Sequence, residues 1–410
     1  MAHTNISKMA NQKQKLGDIQ ILRAIAIISV LIYHLSLSAT LFKFIPGSPT
    51  MPFWVGVEVF FVVSGFVVSR SFFSGALNPL SFMVKRITRL WPAIFFFLAL
   101  SAGTLCLLRS EGGWGNENLG GNTSEFIEQA VAILFGYFIN LNITRVLYVN
   151  AAMWTLSVEF QFYAAFALVV GVLKLLRCKR QTIIRSVTGI TGILYALIVW
   201  QRLSVATNGS LLPPINGLIG YMSAYRFDFM LLGILCWSLS ARIRIPASLS
   251  GTGFYISSFI IISAPIFLTL NNVGNSGGDA ELLVVGLAFF ILVLLASQDR
   301  AFHENGGQTY GFLTWIGDRS YSIYLIHFPV MALQWLVLFM FFQRAFTSDL
   351  VYGISQAVLV ISVTLVLSHF VYRFIELPCN RWGARLARKI ENAMGDHKPA
   401  TFVSGTSELA

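Results

Sequence analysis

The sequence predicts an all-α integral membrane protein: a bundle of about ten transmembrane helices plus one re-entrant or interfacial segment. Three observations carry that expectation. Of 410 residues, 56% are hydrophobic and 11% charged, with a mean hydropathy of +0.70, a balance that no fully water-facing surface can use. Apolar runs long enough to cross a ~30 Å hydrocarbon core recur along the whole chain. The net charge of +11 is gathered into a few short loops and the two tails, the pattern of cytoplasmic faces against anionic membrane lipid rather than of a nucleic-acid partner.

The first run, 19–41, follows Lys8, Lys13 and Lys15 and contains Arg23 and His34. It is too long and too charged for a cleaved leader, so it is expected to stay as the first helix. Further runs lie at 53–74, 91–108, 126–143, 153–176, 186–204, 224–240, 252–270, 280–297, 321–342 and 351–376. The basic loops Lys85–Arg89 and Arg177–Arg185, Arg242 with Arg244, and the tail carrying Arg381, Arg385, Arg388 and Lys389 belong in the cytoplasm. The loops 109–125 and 271–279 then fall outside. Between the outer loop 109–125 and the inner loop 177–185 an odd number of crossings is required, yet two runs are present. The shorter and more polar of them, 126–143, holds Glu128, Gln129, Asn140 and Asn142, so it is expected to be the re-entrant or interfacial segment.

Ten crossings with both termini cytoplasmic remain. Residues 1–15 are expected to be a disordered cytoplasmic tail, 16–380 one membrane domain and 381–410 a basic cytoplasmic tail. Of the four cysteines none sits in a CxxC or Cys/His pair, which predicts free thiols and no metal site.

Ionisable residues inside a membrane are functional candidates. Arg23 and His34 are eleven residues apart, which brings them within about 20° of one helix face and roughly 16 Å apart along the axis. Arg23 near the inner surface also suits a snorkelling anchor. His34, in the outer half, has the chemistry to take a proton from a hydroxyl near neutral pH, although a packing histidine is the competing account. Glu58, in the stretch Gly56 to Phe66, needs a partner at membrane depth, for which His34 or an arginine would serve; Ser64 and Gly65 beside it suit close helix packing. Arg86 and Arg89, three apart at a helix start, could grip phosphates or simply fix topology.

Glu159, in Met153 to Tyr163, is expected at a depth like that of His34 and serves either a salt bridge or catalysis. Trp154 suits an interfacial anchor or a substrate contact. Tyr321, Tyr324 and His327 recur every third residue and form a polar ridge, fit for handling a substrate or for hydrogen bonds between helices. Arg373 and Glu376 are expected to pair at the inner end of the last crossing.

In this order the elements resemble the acyltransferase-3 family of membrane O-acyltransferases. Arg23 to His34 resembles its R-x10-H, Phe60-Phe61-Val62-Val63-Ser64-Gly65-Phe66 its FFxxSGF, and Arg86 with Arg89 its RxxR. Trp154 to Tyr163 is similar to WSLxVExQFY, Tyr321 to His327 to YSxYLxH, and Phe374 to Pro378 to FIExP. Glu58 stands where the family usually has Asp, and Thr155 where Ser is common.

The resemblance implies transfer of an acyl group, often acetyl, from cytoplasmic acyl-CoA to a hydroxyl of a surface or secreted carbohydrate or its lipid-linked precursor, in the cytoplasmic (inner) membrane of a bacterium. It implies that Arg86 and Arg89 hold the CoA phosphates, that Arg23 positions the donor, and that His34 is the base, oriented by Glu159 or Glu58. Direct transfer and a transient acyl-His34 both remain open. Some family members carry an appended hydrolase-like domain, for which the residues after the last crossing leave no expected room. A proton-coupled secondary transporter of a sugar or drug is the rival reading, weakened by the lack of an internal repeat; a glycosyltransferase using a polyprenyl-linked sugar would want more acidic residues in the outer loops.

Overall fold

The computed structural model describes residues 16–38, 53–110, 154–206, 213–240, 279–299, 307–342 and 349–395, with isolated positions between 242 and 260. The runs expected at 126–143 and 252–270, the expected outer loops, and the tails 1–15 and 396–410 lie outside these residues. Nine of the eleven apolar runs coincide with helices, and among the described residues every regular element is helical.

Helix α1 spans Gly17–Ser38. Asp18 in its first turn complements the helix dipole and donates its backbone N–H to Asp299 Oδ1 at 3.0 Å, tying the start of α1 to a distant turn. A 3-10 turn, Phe53–Val55, leads into α2 (Gly56–Phe73). Arg180 closes the C-terminal end of α2 by donating to the Phe73 and Gly75 carbonyls. Helix α3 (Pro79–Ser110) begins with proline at its first position, and Asn78 Oδ1 caps it by accepting the Ser81 N–H at 2.8 Å.

Helices α4 (Trp154–Leu175) and α5 (Arg180–Ala206) follow, then α6 (Pro213–Ala224) and α7 (Phe227–Ser240). The last two meet at 81°, and Arg226 at the break has φ +61, a left-handed conformation rare for a non-glycine residue. The sequence predicts one crossing over 224–240, but α7 has 14 residues, which at 1.5 Å each reach only about 21 Å. The chain is completed by α8 (Asp279–Ala296), α9 (Gln308–Phe342) and α10 (Asp349–Val371), which passes through a π turn, Tyr372–Glu376, into α11 (Leu377–Ala393).

Five helices among the described residues are long and apolar enough to cross a membrane: α1, α2, α4, α5 and α10 with its continuation; α6 and α7 taken as one broken span make a sixth. Their outward faces are apolar, with Leu168 and Val172 on α4, Ile193 and Trp200 on α5, and Val358 and Val366 on α10 all exposed. Such surfaces are stable against lipid and costly against water.

The core is set by two close approaches. Gly65 on α2 faces Gly233 on α7 with backbone against backbone, and a Cβ on either would overlap the other helix's main chain. Gly317 on α9 lies as tightly against Gln20 of α1. Helix α11 falls largely within the region expected to be a basic tail, yet it packs on α3: Gly383 sits against Thr88, and Glu391 Oε1 accepts from Ser81 Oγ and Lys85 Nζ, each at 2.8 Å. Arg381, Arg385, Arg388 and Lys389 face outward from it.

Candidate active site

Thr155, Glu159 and Tyr163 are spaced four apart, so α4 presents them as three rungs on one face. Each rung ties a different helix to α4. Thr155 Oγ1 donates to Tyr324 Oη of α9 at 3.0 Å. Ser64 Oγ of α2 donates to Glu159 Oε1 at 2.5 Å, and the Tyr163 hydroxyl donates to the same oxygen. The buried Arg86 guanidinium of α3 lies 5.0 Å from the Tyr163 ring and 5.2 Å from Phe82, both within cation–π range.

Ser64, Arg86, Thr155, Glu159 and Tyr163 line a cavity together with Arg23 of α1, Arg89 of α3, and Tyr321 and Tyr324 of α9. Apart from Ser64, its α2 wall, with Val57, Phe60, Val63 and Val67, is apolar. Three guanidiniums and one carboxylate line the space, so its charge favours an anion. Glu376, buried and accepting from Ser322 Oγ at 2.9 Å, lies within Coulombic reach of Arg23 and Arg89. Arg23 also donates to Gln20 Oε1 at 3.3 Å. Tyr321 donates to the Leu90 carbonyl at 3.0 Å, so the polar ridge of α9 is used in holding α3 and α4.

His34 does not line this cavity. Its Nδ1 faces Nε2 of the fully buried His327 at 3.1 Å, and Phe328 packs against both rings at 4.6 Å. Tyr324 links the two places: its ring lies 5.8 Å from His327 and its side chain also lines the cavity.

The three groups expected to gather in the outer half are thus dispersed. Glu159 stands with the arginines. Glu58, on the α2 face turned toward α7, pairs with Arg226 at 3.4 Å beside the α6–α7 break. The imidazole facing His34 belongs to His327, a residue the sequence offered as a substrate contact. Trp154 meets Phe61 edge-on at 6.1 Å, outside the cavity. Arg373 is exposed while Glu376 turns inward, because the π turn between α10 and α11 changes the angular spacing of its residues.

Sequence reasoning passed over a buried network at the same break. Arg202 of α5 is 1% exposed and bonds Asp228 Oδ2 through Nε at 3.1 Å and the Ser223 carbonyl through Nη2 at 2.9 Å. Both charged residues lie in apolar runs, and the rule that singled out Glu58 applies equally to them. It also read Ser64 as a packing residue, although its hydroxyl points away from the α7 contact and into the cavity.

The sequence profile of the family described as an acyltransferase domain matches residues 16–373. The chain belongs to this family. Among its relatives is a Staphylococcus aureus (strain COL) protein provisionally named as an O-acetyltransferase, 24% identical over 388 residues, which cover 89% of this chain and 57% of that protein. Another is O-acetyltransferase OatA of Staphylococcus aureus (strain NCTC 8325 / PS 47), 23% identical over 394 residues, covering 88% of this chain and 57% of OatA. This acyltransferase-family chain therefore spans little more than half the length of the curated relatives it matches. No solved structure matches it.

Proposed function

We propose that this protein is a membrane O-acyltransferase, moving an acyl group, most simply acetyl, from cytoplasmic acyl-CoA to a hydroxyl of a surface or secreted carbohydrate or its lipid-linked precursor. The observation that carries the proposal is the arginine-lined cavity with an apolar wall, joined through Tyr324 to a buried histidine pair. Arg86 and Arg89 hold the phosphates of CoA, Arg23 steers the donor along α1, and His34 takes the proton of the acceptor hydroxyl. The acyl group of CoA hangs on a long flexible arm. Phosphates at the arginines and chemistry roughly 16 Å further out along α1 therefore suit one extended donor.

Glu159 offsets part of the arginine charge and, through Ser64 and Tyr163, fixes the cavity wall. Glu58, paired with Arg226, holds α2 against the α6–α7 break. Tyr321 and Tyr324 shape the space that the acyl arm and acceptor occupy, and Trp154 backs Phe61 from outside it. We further propose about ten crossings with both termini cytoplasmic, in a bacterial cytoplasmic membrane. The five helices of crossing length and the placement of the basic loops support this topology.

The test is to incubate purified protein with labelled acetyl-CoA, with and without candidate glycans, and measure CoA release and label transfer. Acceptor-dependent release is expected. No turnover with any acceptor, together with no thermal shift on adding CoA, overturns the reading.

A further inference from the structure

A histidine acts as a base only through a nitrogen that carries a lone pair, so the tautomer of His34 decides whether it can do what the proposed function asks of it. The surroundings of the pair favour one tautomer. Two arrangements satisfy the 3.1 Å contact between His34 Nδ1 and His327 Nε2: either His34 donates from Nδ1, or His327 donates from Nε2.

The backbone discriminates between them. The His34 ring is within hydrogen-bonding reach of the Val30 carbonyl one turn earlier; we assign that contact to Nδ1, because the ring nitrogen nearer the main chain is the one a helical histidine can turn back to its own preceding carbonyls. At the other end, His327 Nδ1 lies near the carbonyls of Ile323 and Tyr324, without a well-formed hydrogen bond to either. If His327 donated, a ring lone pair would point at carbonyl oxygen at both ends of the pair, in an apolar pocket closed by Phe328. If His34 donates, both ends present an N–H to oxygen. Low dielectric makes the second arrangement the stable one.

We propose that His327 is the positioning residue that holds His34 as the Nδ1–H tautomer and keeps the lone pair on Nε2, the atom that deprotonates the acceptor hydroxyl. This rests on the proposed acyl transfer and deepens it. In the step itself the hydroxyl proton passes to His34 Nε2, a bond forms from the hydroxyl oxygen to the acyl carbon, and the carbon–sulfur bond breaks. The thiolate leaves as CoA, which regains a proton as His34 gives one up. Throughout, the His34 Nδ1–H remains directed at His327 Nε2, so the imidazolium formed has an acceptor already in place.

Tautomer and turnover are read separately. The chain has six histidines, so in protein labelled with 15N at the histidine rings the His34 signals can be assigned by their loss in His34→Gln. A protonated Nδ1 and an unprotonated Nε2 are expected; a protonated Nε2 overturns the proposal whether or not the protein turns over acyl-CoA. In the CoA-release assay, His327→Leu should lower kcat on the order of 10²-fold while KM for acetyl-CoA stays within about twofold. His327→Gln, whose side-chain oxygen can still accept from Nδ1, should recover about tenfold of that loss. Equal losses in the two variants at unchanged thermal stability, or a His327→Leu variant as fast as the native protein, also overturn it. A native protein that releases no CoA sinks the proposed function instead, and the ring signals still decide the tautomer.

Discussion

Glu159 Oε1 receives two hydroxyl donors, Ser64 and Tyr163, within a cavity that three arginines make cationic. Under the proposed function a carboxylate so placed tempers the guanidiniums and keeps the site from binding the donor's phosphates too tightly to release. Glu159→Gln should therefore leave the protein folded but lower turnover by about tenfold or more, checked as kcat with CoA binding measured in parallel. Under the proposed function Arg86 acts on the donor. Arg86→Ala removes a charge-assisted contact worth about 1.5–3 kcal/mol, so CoA binding measured by titration calorimetry should weaken by about tenfold or more while kcat changes less. Arg86→Lys should recover only part, because an ammonium keeps the charge but loses the flat face set against Tyr163 and Phe82.

The residue types at the site were legible because charge is conspicuous in an apolar chain: Arg23, His34, Arg86, Arg89 and Glu159 stand out against their neighbours. Their partners were not. Whether Glu58 meets His34 or Arg226 depends on which way α2 is turned, and that is decided by the Gly65–Gly233 crossing far along both helices.

At the scale of helices, that crossing is the most sensitive packing point. Gly65→Leu forces α2 and α7 apart and should cost about 1–3 kcal/mol or more, read as a fall in unfolding temperature. Gly65→Ala and Gly233→Ala should be strongly non-additive, since each obstructs the same contact. The buried Arg202–Asp228 pair gives a second test. Arg202→Leu strands a carboxylate and should destabilise by about 3–5 kcal/mol, whereas adding Asp228→Leu should restore most of the loss.

Apolar length located nine of the helices, five of which are long and apolar enough to cross a hydrocarbon core. It did not locate the α6–α7 break. That bend arises from a single left-handed residue, Arg226, whose conformation is sustained by its Glu58 ion pair and by Trp54 beneath it, contacts between parts of the chain distant in sequence. Nor did it show that Leu377–Ala393 is a packed helix, since a search for long apolar runs passes over a basic segment that buries only one narrow face, Gly383, Ala387 and Glu391, against the start of α3.

Across the whole molecule, the clamp of α11 on the start of α3 joins residues 310 positions apart in the sequence. Glu391→Ala removes the shared acceptor of Ser81 and Lys85 and should lower the unfolding temperature; Lys85→Ala alone should do less, because its ion pair is partly exposed. Circular dichroism of the detergent-solubilised protein on heating measures both.

The distance along α1 from Arg23 to His34 has a further consequence under the proposed function. The leaving thiol stays with the nucleotide that anchors it, on the side where thioesters are made, and only the acyl fragment changes compartment. A modification made at the outer surface is then driven by a bond assembled inside, with no energy-rich compound needed where the product appears.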